Sequence, residues 1–313
     1  MLGKLKVMLL LFLLGGCEQT SFESIDPSIP FVASLNTVDR TIDFISTEQE
    51  IIQTWELDAA YTGFTLVTND LLLVYGYTLE EANLIQLSTG KSIATLKVEE
   101  GTTYAYAYNE NIYIANGKEN SVTLFNKNGK KLAESPAGNY PMSMISDGEK
   151  LYVVNFKDEI LSVFSLDLTE VAEWEIPSSS HGLLINDSEL WLGGHGAGSS
   201  PNRVISRFNL ETGEQIGEVE APIMPINMVK ALNGNIFAVS HGNSSVYEIS
   251  KKGEILSSIK VGANPFSIVA FENSVVLAGY DDQVIYFIES GKVTNKVQVG
   301  KGPFQLIVRE ASN

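Results

Sequence analysis

The chain repeats itself about every 40 residues, and no other property of the sequence restricts its fold as tightly. Each unit holds an apolar strand, a short turn and a second strand closing on a small or polar residue, followed by a hairpin whose outer arm alternates apolar and polar residues. The second strands read Ile112-Tyr113-Ile114-Ala115-Asn116, Leu151-Tyr152-Val153-Val154-Asn155, Leu190 to His195, Ile236 to His241 and Val275 to Tyr280. With Asn36 and Tyr77, strand-end markers fall at 36, 77, 116, 155, 195, 241 and 280, in steps of 41, 39, 39, 40, 46 and 39. The long step holds Ala197-Gly198-Ser199-Ser200-Pro201-Asn202, a composition that loops tolerate. Hairpins turn at Thr89-Gly90, Asn128-Gly129, Thr212-Gly213, Lys252-Gly253 and Ser290-Gly291 between alternating β-branched runs.

Four strands in each of seven such units define an all-β chain, a seven-bladed β-propeller of four-stranded antiparallel blades over residues 30–313. The two ends settle how the ring closes. The unit starting at Phe31 lacks a first strand, and Gly302-Pro303-Phe304-Gln305-Leu306-Ile307-Val308-Arg309 repeats the first-strand pattern Asn264-Pro265-Phe266-Ser267-Ile268-Val269 with no unit behind it. The C-terminal strand is therefore expected to pair into the N-terminal blade, which limits exposed sheet edges.

Gly262-Ala263-Asn264-Pro265-Phe266-Ser267-Ile268, the Leu151 to Asn155 strand and the Leu87-Ser88-Thr89-Gly90 hairpin resemble the YVTN-type seven-bladed propellers of secreted and surface bacterial proteins. The resemblance implies the fold. It leaves function open among binding proteins and lactonase-like enzymes, because these motifs encode strand packing and turns.

The N-terminus gives a cellular address. Lys4 and Lys6 precede an apolar run from Val7 to Leu14 that is too short to span a bilayer, and the run ends in Leu14-Gly15-Gly16-Cys17. This resembles the lipobox of bacterial lipoproteins, in which the thiol of the first mature residue is lipidated. Residues 1–16 are thus expected as a signal peptide, and residues 17–29 as the lipidated Cys17 and a flexible tether. The expected location is the extracytoplasmic side of a cell membrane, with the chain a monomer held by its lipid. Cys17 is the one cysteine, which excludes an intrachain disulfide framework. Acids outnumber bases 38 to 21, for a formal charge of -17, which becomes -19 once Lys4 and Lys6 are removed. No basic groove with interleaved aromatics is present, so nucleic acid is excluded as a partner.

Propeller topology puts the start of each first strand on the same face as the loop after each second strand. His181, His195 and His241, all the histidines of the chain, are therefore expected at one channel mouth in blades five and six. They are candidates for ligand hydrogen bonding together with Asn116, Asn155, Tyr140 and Tyr280, and as a trio they could hold a divalent metal. Glu80, Glu81, Asp158, Glu159, Asp281 and Asp282 are expected to form an acidic rim on the same face, suited to a cationic peptide or protein partner. No nucleophile elbow, P-loop or EF-hand loop occurs. The expected role is a protein- or ligand-binding module acting through the channel mouth. A lactonase-like hydrolase using the histidines and a structural envelope protein are the alternatives.

Overall fold

The computed structural model describes residues 21–311; the stretch expected as a signal peptide and Cys17 lie outside the described residues. Among the described residues, twenty-eight strands form seven antiparallel four-stranded sheets. Blade one is built in the order β28 (Pro303–Arg309), β1 (Phe31–Asn36), β2 (Thr41–Ile45), β3 (Ile51–Glu56). Each later blade takes four consecutive strands, from β4 (Gly63–Thr68) to β7 (Lys91–Lys97) in blade two and from β24 (Pro265–Phe271) to β27 (Lys292–Gln298) in blade seven. The chain is thus a seven-bladed β-propeller sealed by its C-terminal strand. Among the described residues the helical content is one 3-10 turn, His241–Asn243, and no helix is long and apolar enough to cross a membrane.

The second strands are buried over all or all but the first of their residues, as in Leu71–Tyr75 and Ser274–Gly279, because each is flanked within its sheet and covered on both faces by neighbouring blades. Outer strands alternate instead: Ile51–Glu56 and Gln215–Glu220 expose most residues but bury Trp55 and Val219. Apolar side chains accordingly gather into seven clusters, each drawing on two adjacent blades, so the core is a ring of seams rather than a centre.

The ring is locked where its ends meet. Arg309 is 1% exposed, lies over the Phe31 ring at 4.4 Å, and donates from Nε and Nη2 to Ile29 O at 2.9 and 2.6 Å and from Nη2 to Asp26 O at 2.5 Å. A buried guanidinium with no such acceptors would cost several kcal/mol, so these carbonyls make its burial tolerable.

The same contacts correct the expectation of a flexible tether up to residue 29. From Ser21 onward the segment is a strap laid under blades one and two. Ser21 bridges Lys91, the Phe22 and Ile25 amides donate to Gly90 O and Leu87 O, and Ile25 is buried in the seam between the two blades. Phe22 stacks on Trp55 at 4.5 Å, and the Trp55 indole donates to Glu23 O at 2.9 Å. In blade five the turn glycine Gly213 lies directly against Trp174, the counterpart of Trp55; between blades one and two, Phe22 fills that space. The strap holds because apolar Phe22 and Ile25 sit among polar residues, a pattern that composition alone reads as linker.

Candidate functional site

Strand register defines the mouth. The residue opening each first strand pairs with the residue closing each second strand: Gly63 with Tyr75, Thr102 with Asn116, Pro141 with Asn155, Ser180 with Gly194, Pro225 with Ser240, Pro265 with Gly279, and Pro303 with Asn36. His195, His241 and Tyr280 therefore do not share a position with Asn116 and Asn155, as the sequence spacing suggested. They lie one residue further on. A slip of one residue reverses side-chain direction, which separates the two groups chemically.

Asn116 and Asn155 turn inward and brace the fold. Asn116 Nδ2 donates to Glu99 O and Glu100 O, each at 3.0 Å, while its Oδ1 accepts from the Lys118 and Glu119 amides. Asn155 is fully buried and donates to Ile160 O at 3.1 Å and Ser162 Oγ at 3.0 Å. These bonds fold the loop after the second strand, so Asn116 acts as a cap with both ends of its amide used, whereas Asn155 braces through Nδ2 and leaves Oδ1 buried without a partner.

The position after each second strand carries a ring in four successive blades: Phe156, His195, His241 and Tyr280. The position after each first-strand opening adds His181, Phe266 and Phe304. Together they make a continuous arc. His195 contacts Phe156 at 5.8 Å and lies 6.0 Å from both His181 and His241, all edge to face. His241 meets Phe266 at 4.6 Å, and Phe266 meets Tyr280 at 5.5 Å and Phe304 at 5.3 Å. Phe304 is 38% exposed, so the arc opens to solvent at that end. Phe156, Phe266 and Phe304 escaped the sequence reading, although the repeated Pro-Phe of blades seven and one marks two of them.

Backbone geometry orients the histidines. Gly182 has φ +59°, and a Cβ there would sit 2.1 Å from Ile226 O. Glycine thus lets the blade-six carbonyl come close enough to meet His181 Nδ1 at 2.9 Å. His241 Nδ1 lies 3.1 Å from Pro265 O of blade seven. A carbonyl can only accept, so both Nδ1 atoms carry the proton and both Nε2 atoms are left as acceptors in the neutral ring. His195 Nδ1 is buried with no hydrogen-bond partner. Burial, then the neighbouring His181 and His241, pushes the His195 pKa down to about 4; burial also lowers that of His181. The centre of the arc is therefore neutral at physiological pH.

Among the described residues no group of three or more His, Cys, Asp or Glu is placed to hold a metal ion. The trio expected as a metal site is an edge-to-face stack, with two of its Nδ1 atoms committed to carbonyls. The acidic rim is likewise divided. Glu80 and Glu81 line a groove of ≈ 720 Å³ at blade two with Asp58 and Tyr61, and Asp158 and Glu159 line one of ≈ 1050 Å³ at blade four with Trp174. Asp282 accepts from Tyr286 Oη, and Asp281 lies 3.5 Å from Asn264 Nδ2. Tyr140 belongs to the opposite half of the mouth, its ring under Lys157 Nζ at 4.1 Å; burial and a bond with Tyr77 raise its pKa. Lys118 Nζ sits over Tyr77 at 5.3 Å and pairs with Glu100 at 2.7 Å.

No protein family and no curated protein matches this sequence. Solved structures match its architecture. A functionally unknown protein from Desulfotomaculum acetoxidans DSM 771 superposes with a TM-score of 0.75 at 12% identity, covering 90% of this chain and 99% of that one. BamB from Moraxella catarrhalis gives 0.62 at 10% identity, with 94% and 96% covered. A catalytically inactive His-to-Ala variant of virginiamycin B lyase from Staphylococcus aureus, solved with quinupristin, gives 0.65 at 14% identity, with 83% and 95% covered. At such identities the likeness establishes the fold alone.

Proposed function

We propose that this chain is a binding propeller of the cell envelope, held by lipid on Cys17, whose mouth receives a protein or peptide segment presenting an aromatic or cationic side chain. The observation that carries this reading is the unbroken arc of Phe156, His181, His195, His241, Phe266, Tyr280 and Phe304. Its ring faces suit aromatic stacking and cation–π contact, and the Nε2 atoms of His181 and His241 suit N–H or O–H donors. The formal charge, -17 for the full sequence and -19 once Lys4 and Lys6 are removed, would speed the approach of a cationic segment, an advantage that salt removes. The resemblance to YVTN-type surface proteins and the fold shared with BamB are in keeping with a recognition role.

A lactonase-like hydrolase, with the histidines as acid and base, is the second reading. It draws on the lyase of similar fold that a His-to-Ala change inactivates. His195 weighs against it, since an imidazole with a pKa of about 4 is a feeble general base at neutral pH.

Fluorescence anisotropy with labelled Lys/Trp-containing peptides and their Glu-substituted counterparts tests the proposal. The cationic aromatic peptides should bind, more weakly at high salt, and Phe266→Ala and His195→Ala should each cost about tenfold in affinity. No binding across the set, or binding indifferent to both substitutions, refutes it. Turnover of lactones or aryl esters that disappears in a folded triple His-to-Ala variant would establish the hydrolase instead.

A further inference from the structure

The strap fixes where the chain leaves the propeller. Ser21 is bridged to Lys91 beside the Leu87–Gly90 turn of blade two. That turn is tied to the neighbouring first-strand turn, since Asp70 accepts from the Ser88 amide at 2.7 Å and from Ser88 Oγ at 2.6 Å. Both turns lie at the strand ends opposite the loops that carry the histidines, because Leu71 pairs with Gln86 at one end of the sheet while Gly63 pairs with Tyr75 at the other. The exit point and the mouth are therefore on opposite faces.

The distance to the anchor follows from covalent geometry. Three residues separate Cys17 from Ser21, and the four residue-to-residue steps between them span about 14 Å at most when fully extended. Next to the exit, the Lys127–Lys130 turn of blade three packs on the outer strand of blade two. A Cβ on its Gly129 would lie 3.3 Å from Leu96 Cδ1 and 3.6 Å from Ala94 Cβ. Lys91, Lys130 and Lys131 are exposed on this edge with Lys127. Lys127 pairs with Glu110 at 2.7 Å and Lys131 with Glu134 at 2.5 Å, and Asp70 and Glu23 lie beside the same turns, so this edge is close to charge-balanced in a strongly acidic protein.

We propose that this edge, formed by the turns at Thr89–Lys91 and Lys127–Lys131, is the surface that rests against an anionic bilayer, with the histidine mouth turned away from the lipid. The proposal rests on the reading of Cys17 as the lipidated residue. A short leash and a charge-balanced edge act together: lipid insertion brings the edge within a Debye length of the membrane, and anionic headgroups then favour it over the acidic remainder of the surface. The mouth is thereby presented to partners that approach from the aqueous side.

Single reporter cysteines at Asn128 and Glu119 test the orientation. Both residues are exposed in blade three, at opposite ends of its strands, and a lipidated Cys17 does not compete for the label. The full-length lipidated protein is reconstituted into phosphatidylcholine–phosphatidylglycerol vesicles containing a headgroup nitroxide lipid. A fluorophore at Asn128→Cys should be quenched at least threefold more than one at Glu119→Cys, and the contrast should shrink on phosphatidylcholine alone. Equal or reversed quenching overturns the orientation, and an undiminished contrast on neutral lipid overturns the anionic-surface assignment. Palmitate incorporation that Cys17→Ala abolishes reports separately on the anchor; its absence from the parent protein refutes the lipidation reading whatever the quenching pattern.

Discussion

The two halves of the channel mouth start from the same strand register and reach opposite chemistries. Across blades two to four, Lys118 and Lys157 lie over Tyr77 and Tyr140, Lys118 is paired with Glu100, and Asn116 and Asn155 use their side chains to fold loops. Across blades five to seven and into blade one, the strand-closing residues shrink to Gly194, Ser240 and Gly279, and the following positions carry His195, His241 and Tyr280. One half uses most of its polar side chains on itself, with Thr102 Oγ1 and Asn155 Oδ1 left buried without a partner. The other stacks its rings around an unpartnered His195 Nδ1. The ring arc is thus centred on blades five to seven, where the strand-closing side chain is small, and reaches into blades four and one, which keep Asn155 and Asn36.

The contrast should break first at Asn116. Asn116→Ala removes acceptor and donor together from four backbone groups and should cost about 2–3 kcal/mol, measured as a lower denaturation midpoint, whereas His195→Ala should leave stability nearly unchanged. Equal losses would erase the distinction between the halves. Next comes Gly182→Ala, expected to cost about 2 kcal/mol through positive-φ strain and collision with Ile226 O, and to move His181 off its carbonyl, seen as a shift of its ring resonances.

Mild acid, above the range where carboxylates such as Asp70 and Asp147 protonate, should probe the histidine half first. The folded His195 pKa of about 4 lies below its usual 6.5, so between these values the unfolded chain binds more protons and stability falls as pH drops. Its contribution is complete above about pH 6.5 and lost by about pH 4; screening at a partly exposed ring limits it to about 1 kcal/mol. Thermal unfolding should show this slope, and His195→Ala should flatten it. The smallest effect belongs to the lysine half. Lys118→Ala should change stability by less than about 0.5 kcal/mol, since both members of its ion pair are well exposed to water.

Architecture was legible in the sequence because seven repetitions of one hydrophobic pattern reinforce each other, and the lone first-strand pattern at Pro303–Arg309 revealed the closure. The histidine cluster was legible through topology, which decides the face on which a loop emerges. The aromatic arc was only half legible. Asn, Gly and Ser all close second strands, so the spacing of small and polar residues left a one-residue ambiguity that backbone pairing resolves. Phe266 and Phe304 read equally well as core side chains, and the acids of the loops after second strands share a face without sharing a pocket. The strap was illegible for a different reason: two apolar residues in a polar stretch become anchors only when Trp55 and the Gly90 turn are already in place.

The pairing of β1 with β28 sets the order of assembly during synthesis. β28 emerges after the other twenty-seven strands, so blade one waits with an open edge while the rest of the ring can already condense. The same event gives Arg309 the Asp26 and Ile29 carbonyls and fastens the strap. Ring sealing and the fastening of the strap are then one step, and a chain stalled before Pro303 would be both frayed at blade one and without the Arg309 clasp on the strap.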